Sequence, residues 1–239
     1  GAYSIIGPDV KIDTGTRVGP HVVINGHTTI GKNNQIFQFS SLGEVPQDKK
    51  YQGEPTQLEI GDNNTIREFC TFNRGTAQDK GITRIGSNNW IMAYVHIAHD
   101  CIIGNHCILA NSVQLAGHVT VGEYAIIGGL SAVHQFVKIG QHAMVSGGSL
   151  VRKDVPLYTK AAREPLSYEG VNSIGLRRRG FTSEKIAEIQ EIYRLLFLRG
   201  HNTAKALQII EAEMPATTER DEILDFIRES DRGIMKGYQ

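Results

Sequence analysis

Broken every six residues, positions 85–151 read IGSNNW, IMAYVH, IAHDCI, IGNHCI, LANSVQ, LAGHVT, VGEYAI, IGGLSA, VHQFVK, IGQHAM, VSGGSL and V. An aliphatic side chain opens every block: Ile85, Ile91, Ile97, Ile103, Leu109, Leu115, Val121, Ile127, Val133, Ile139, Val145 and Val151. The same period runs earlier through Ile6, Ile12, Val18, Ile24, Ile30, Ile36 and Leu42, and again through Ile60, Ile66 and Phe72. A period of six matches neither the 3.6 of a helix nor the 2 of a strand. It suits one short strand plus one turn, with three such units closing a triangular coil. Coils stacked like parallel strands lie about 4.8 Å apart, so residues one coil apart should stand directly above one another.

The position four after each aliphatic is small or β-branched in most blocks, as at Val95, Cys101, Cys107, Val113, Val119, Ala125, Ser131, Val137, Ala143 and Ser149. Such residues fit the narrow interior of a prism. Cys70 obeys the same rule after Ile66, so all three cysteines are expected as inert core fillers rather than a disulfide framework or reactive thiols.

Two interruptions, at 43–59 and 73–84, are polar and contain glycine, and insertions into a regular solenoid must leave its surface as loops. The first carries Asp48 and Lys50, which a solvated turn would explain equally well. The prism domain is assigned to residues 1–160, and the register fades near Asp154-Val155-Pro156. From 165 to 239 the spacing becomes helical. Ile186, Ile189, Tyr193 and Leu196 share one face of a helix that Thr182 or Ser183 could cap, and further helices are expected over 203–214 and 218–230, the last opened by Thr218 with Asp221 three residues on. Arg177, Arg178 and Arg179 form the densest positive cluster, either a solvated face or a landing site for phosphate or an acidic carrier.

Lys plus Arg and Asp plus Glu both number 25, so net charge offers no case for nucleic acid or a membrane surface. No apolar run is long enough to span a bilayer, and no leader pattern opens the chain, which points to a cytoplasmic protein with no stable membrane insertion. The period is already under way at Gly1, so an upstream piece is expected to be missing.

The chemistry is expected where polar residues crowd the regular coils. His96, His99 and Asp100 fall within five positions; Gly117 and Gln135 follow His99 at one and two coil spacings, His118 follows Asp100 at one, and His134 stands two coils above Ala98. An unperturbed imidazole, with a pKa of about 6.5, can accept a hydroxyl proton at neutral pH, typically contributing roughly 10²- to 10⁴-fold. His99 is the candidate base. Asp100 could fix its tautomer if a corner bend turns two neighbouring side chains the same way, and Gly117 would let a backbone N–H approach an oxyanion.

The hexads resemble the hexapeptide-repeat acyltransferase superfamily, whose prisms wind left-handed and assemble as homotrimers with sites in the clefts between them. More specifically, His96-Ile97-Ala98-His99-Asp100-Cys101, Ile108-Leu109-Ala110-Asn111, Leu115-Ala116-Gly117-His118-Val119, Ala132-Val133-His134-Gln135-Phe136, and Gly170-Val171-Asn172 leading to Leu176-Arg177-Arg178-Arg179-Gly180-Phe181 resemble the UDP-N-acetylglucosamine O-acyltransferase family over nearly the whole chain. The resemblance implies a left-handed β-helix followed by a small C-terminal helical domain. It implies transfer of a 3-hydroxyacyl group from acyl carrier protein to the 3-hydroxyl of UDP-N-acetylglucosamine, the first step of lipid A biosynthesis in a Gram-negative type of bacterium. It further implies His99 as base, Asp100 as its orienting partner and Gly117 as oxyanion donor. Asp48, Lys50, His96, His118 and Gln135 would bind the sugar, His134 would join them at the shared cleft, Asn172 would hold the nucleotide, and Arg178 and Arg179 would meet phosphate or carrier protein. Gly147 would floor the acyl groove and admit a longer chain. Some family members carry an acid two residues after the Asn, where this chain has Ile174, which weakens the uracil contact. No metal or separate cofactor is expected, the acyl group arriving on the phosphopantetheine of the carrier. The rivals are the N-acyltransferase of the same pathway, a trimeric zinc carbonic anhydrase built from some of the nine histidines, and a non-catalytic scaffold.

Overall fold

A computed structural model describes residues 1–237, so 238 and 239 of the expected 165–239 domain lie outside the described residues. Each hexad contributes a two- to four-residue strand to one of three sheets, which form the sides of a prism. Sheet A has eight strands, from Ile5–Ile6 to Leu150–Val151; sheet B has seven, from Val10–Ile12 to Lys138–Ile139; sheet C has ten, beginning at Arg17–Val18. Pairing within the prism is parallel and keeps the expected register: Ile97 opposes Leu115, Leu115 opposes Val133, and Val133 opposes Val151.

Two coils break that spacing. Leu42 pairs with Phe72, where an unbroken period would have set Ile60 opposite it, so the first loop lengthens its coil. Phe72 in turn pairs with Ile97 instead of Trp90, and the second loop lengthens the next coil by a smaller amount. The strands Ser41–Glu44 and Gln57–Ile60, and Thr71–Asn73 and Ile82–Ile85, reach further into both insertions than the hexad pattern alone predicts, leaving 45–56 and 74–81 outside the sheets. Both loops pass from sheet A to sheet B, so both emerge on one vertical edge.

The corners are made by residues with left-handed backbone. Tyr94, Asp100, His106, Ser112, His118, Tyr124, Leu130, Phe136 and His142 all have φ between 56° and 65°, a region few non-glycine residues adopt. Repetition offsets that strain, because corner side chains stack on their counterparts in adjacent coils. His106, Tyr124, His142 and Tyr158 form one ring ladder with centroids 4.6, 4.9 and 5.6 Å apart. Burial with Arg179 nearby pushes the His142 imidazole down to about 4, so it is neutral within this ladder at physiological pH.

The aliphatics and the residues four later fill the interior: Ile97, Cys101, Cys107, Leu109, Val113 and Val119 are wholly buried. Burial pushes all three thiols up to about 12, which makes them inert at neutral pH. In the lower coils that inner position is occupied by Asn34, Asn64 and Asn89, and the reason is a hydrogen-bond ladder. Asn34 Oδ1 accepts from Asn64 N at 2.9 Å, Asn64 Oδ1 from Asn89 N at 2.8 Å, and Asn89 Oδ1 from Cys107 N at 2.6 Å.

Above the last coil, Thr159–Ala162 and Ser167–Val171 form an antiparallel hairpin that extends sheet C, with Lys236–Gly237 returning beside it. Four helices follow the hairpin: α1 Ser173–Arg178, α2 Ser183–Phe197, α3 Thr203–Glu213 and α4 Thr218–Arg228. Helix α2 is capped by Thr182 and buries Ile186, Ile189, Ile192, Tyr193 and Leu196. Its Tyr193 hydroxyl donates to the Leu157 carbonyl at 2.6 Å, tying helix to prism. Helix α4 is capped by Thr217, one residue before the expected Thr218, whose own backbone is already helical. The arginine cluster closes helix α1, with Arg177 and Arg178 in its last turn and Arg179 at its C-cap. Among the described residues no helix is long and apolar enough to cross a membrane.

Asn64 also donates Nδ2 to the Gly86 carbonyl at 2.9 Å, so Asn64→Ala takes the acceptor from the Asn89 N–H and the donor from the Gly86 carbonyl together. We expect a loss of about 2–4 kcal/mol in denaturant unfolding, whereas the exposed Gln35→Ala beside the same ladder should change little.

Candidate active site

Asp100 occupies a corner with φ of 58°, and that turn does what an extended strand could not: it swings the carboxylate back beside the preceding residue. His99 Nδ1 lies 2.9 Å from Asp100 Oδ2. Asp100 is fully buried while His99 is 14% exposed, so the carboxylate is sealed and the imidazole is reachable. The second loop supplies the remaining partners. Thr76 donates its N–H to both carboxylate oxygens at 3.1 and 3.0 Å and its hydroxyl to Oδ2 at 2.6 Å, and Asp100 N donates to Thr83 Oγ1 at 2.8 Å. Burial would raise the Asp100 carboxyl, but the His99 and Thr76 hydrogen bonds outweigh it and hold the group below its ordinary value.

Gly117 lies one coil above His99. A Cβ built there would meet His99 Cε1 at 2.5 Å and Nε2 at 2.7 Å, so only glycine lets the backbone close over the imidazole. Its N–H donates to no acceptor among the described residues. His118, at the next corner, crosses His99 edge to face with centroids 4.9 Å apart and stacks on Phe136 at 4.2 Å. Its Nδ1 is 2.6 Å from Asp79 Oδ2, another second-loop residue. His96 Nδ1 is 2.7 Å from the Thr71 hydroxyl; burial lowers its pKa, partly opposed by the Thr71 contact, with the neighbouring His99 acting in the same direction as burial. Gln135 and His134 are exposed at the top of the same edge.

Thr76, Asp79 and Thr83 are the participants that the hexad analysis misses. They lie in or beside the insertion, where no period relates a residue to its neighbours in space. The only sequence cue is that the loop interrupts the edge one coil below His99.

Other expected site residues stand apart from this cluster. Asp48 Oδ1 accepts from Lys50 N at 2.9 Å in a local turn of the first loop, and Lys50 is exposed. Asn172 is 4% exposed; it caps α1 by accepting from Gly175 N and donates Nδ2 to the His142 carbonyl at 3.0 Å. Arg179 lies over the Tyr124 ring at 5.1 Å and donates to the Tyr124 carbonyl at 3.1 Å, whereas Arg178 is exposed. Gly147 is exposed at the corner column that also holds Gly129 and Asn111. The candidate residues therefore occupy all three edges of the prism: His99 and its neighbours between sheets A and B, Asn172 and Arg179 against the corner between B and C, and Gly147 between C and A.

His99, Asp100 and His118 bring potential metal-ligand atoms within 4.8 Å of one another. Hydrogen bonds to Asp100 and Asp79 already engage both Nδ1 atoms, and Thr76 and His99 engage the Asp100 oxygens. The arrangement is two imidazoles each anchored by a carboxylate, with Nε2 of each ring left to exchange a proton.

Fold and edge together place the molecule among the hexapeptide-repeat acyltransferases, left-handed parallel β-helices with, here, a small C-terminal helical part. The family described as bacterial transferase hexapeptide (six repeats) matches residues 82–117, and that described as UDP N-acetylglucosamine O-acyltransferase, domain 2, matches residues 154–235. An acyl-[acyl-carrier-protein]–UDP-N-acetylglucosamine O-acyltransferase of Verminephrobacter eiseniae is 58% identical over 81% of this chain and 74% of its own length. One from Herminiimonas arsenicoxydans is 52% identical over 99% of this chain and 92% of its own. The solved structure of LpxA from Acinetobacter baumannii superposes with a TM-score of 0.95 at 48% identity, covering 98% of this chain and 91% of that one. The chain belongs to the UDP-N-acetylglucosamine O-acyltransferase family.

Gly117→Ala tests the closeness of base and amide. Gly117 does not have a left-handed backbone, so alanine adds no strain of its own there, and its methyl would push the His99 ring aside. Steady-state assays should show acyl transfer reduced by about 100-fold with unfolding little changed, since a displacement of roughly 1 Å at a reacting group has that effect.

Proposed function

We propose that the chain transfers a 3-hydroxyacyl group from the phosphopantetheine thioester of acyl carrier protein to the 3-hydroxyl of UDP-N-acetylglucosamine, the first step of lipid A biosynthesis. The observation that carries this reading is the His99–Asp100 pair beneath the unpaired Gly117 N–H. His99 Nε2 removes the proton of the sugar hydroxyl as its oxygen attacks the thioester carbonyl. Asp100 supports the imidazolium, and the Gly117 N–H donates to the carbonyl oxygen as it becomes an oxyanion. Collapse of the tetrahedral intermediate breaks the C–S bond, the imidazolium returns its proton to the departing thiolate, and ester and free carrier thiol leave.

His96, His118 and Gln135, with Asp48 and Lys50 of the first loop, hold the sugar in this reading, and His134 joins them at the cleft. Asn172 positions the nucleotide alongside the backbone of α1, Arg178 meets phosphate or the acidic carrier, and Gly147 floors the acyl groove. One prism cannot gather residues from its three edges around one substrate, so the reading calls for a homotrimer whose neighbouring edges face each other. A cytoplasmic enzyme fits a carrier-borne substrate. The O-acyltransferase relatives favour O- over N-transfer.

Mass-spectrometric transfer assays should detect an ester of UDP-N-acetylglucosamine from a 3-hydroxyacyl carrier thioester. His99→Ala should reduce the rate by about 10³-fold or more and lower stability by about 1–3 kcal/mol, since buried Asp100 loses one of its donors. Retained activity in that variant would remove His99 from the base position, and no transfer by the unaltered protein would leave the scaffold reading.

The two arginines should separate. Arg178→Ala is expected to raise the apparent KM for carrier protein or nucleotide sugar at unchanged Tm, whereas Arg179→Ala should also destabilise the fold by about 0.5–2 kcal/mol through loss of its stack on Tyr124. Thermal melts run beside the kinetics check both halves.

A further inference from the structure

The proposed transfer leaves Asp79 without a task, and its position gives it one. His118 Nδ1 lies 2.6 Å from Asp79 Oδ2 and 3.9 Å from Asp100 Oδ2, the same oxygen that accepts from His99 Nδ1 at 2.9 Å. Two imidazoles thus have one buried carboxylate within reach. Phe136, stacked on His118 with planes 7° apart, holds the ring plane, so a small in-plane movement would carry Nδ1 from one acid towards the other. Oδ2 of Asp100 already accepts from the Thr76 hydroxyl and the Thr76 N–H as well, and another donor would have to displace one of the existing three.

We propose that Asp79 is a positioning residue that accepts the His118 Nδ1 proton and so keeps this imidazole off Asp100, leaving the Asp100 oxygen to His99 and His118 Nε2 as that ring's one free nitrogen. Lys80 Nζ, 3.4 Å from the same Asp79 oxygen, helps hold the carboxylate against His118. The residues added by the second loop then serve both imidazoles: Thr76 fixes the acid that orients His99, and Asp79 engages the competitor. Without Asp79, His118 would turn to Asp100 and loosen the base from its partner.

This inference rests on the acyl-transfer reading, and the experiment separates the two. Turnover of 3-hydroxyacyl carrier thioester and UDP-N-acetylglucosamine by the unaltered protein is measured first; its absence would remove the reading itself. Given that turnover, Asp79→Ala should lower kcat by about 10-fold, alongside whatever rise in KM follows from His118 turning away from the sugar. Asp79→Asn keeps an acceptor oxygen and the side-chain volume, and should retain kcat within about threefold. In a His118→Ala background, adding Asp79→Ala should change kcat by less than about twofold, since the competitor is gone. A kcat within twofold of the unaltered protein in Asp79→Ala would overturn the proposal. So would an equal loss in both backgrounds, a loss confined to KM, or an asparagine variant as slow as the alanine one.

Discussion

Parallel pairing of identical coils is the constraint on which everything else rests. Once three hexads close a coil, each side chain stands over its counterpart in the coil before, and any residue type that stacks well on itself is favoured along a whole column. The aromatic ladder, the asparagine ladder and the aliphatic interior are three solutions to that single problem, one for corners, one for a buried polar column, and one for the core. The candidate active-site edge is a fourth column in which likeness has been given up. Along the A–B edge His99 is followed by Gly117 and then Gln135, and the lost self-stacking is replaced by a glycine backbone closing over an imidazole.

Corner geometry decides which neighbours can cooperate. In an extended strand His99 and Asp100 would face opposite ways, and a left-handed corner residue reverses that. Asp100 resembles the other corner residues in φ, so the His99–Asp100 pair needs no backbone feature beyond those the prism already repeats. What is particular to it is burial: Asp100 has no exposed side chain, and an acid there persists in charged form only if donors surround it. Apart from His99, the donors to its oxygens come from outside the regular coils: the second loop brings the Thr76 N–H and hydroxyl to that spot.

This division explains what is legible in the sequence. The prism, its register, the buried cysteines and the stacking of His99 under Gly117 follow from a period, and a period converts sequence separation directly into position. The separation of Gly147 from His99 follows from the same arithmetic, since Gly147 lies two full coils and two further hexads beyond His99 and cannot share its column. Thr76, Asp79 and Thr83 are not legible because loop residues lie at no multiple of the coil. Helix α1 is hidden for another reason: a single short turn with two arginines and a glycine carries too little apolar periodicity to stand out, and it is Asn172 and the prism beneath it that hold the turn in place.

The hydrogen bonds around Asp100 also fix the protonation pattern of the pair. An ionised carboxylate only accepts, and the Thr76 N–H has no alternative but to donate, so the site favours the charged acid despite its burial. A charged Asp100 requires the proton between it and His99 to reside on Nδ1. Neutral His99 then has its lone pair on Nε2, the nitrogen that approaches the Gly117 backbone and would be blocked by any side chain there. Carboxylate, imidazole and amide are therefore brought together by two features far apart in the chain: an insertion that charges the carboxylate from below and a glycine that bares the imidazole from above.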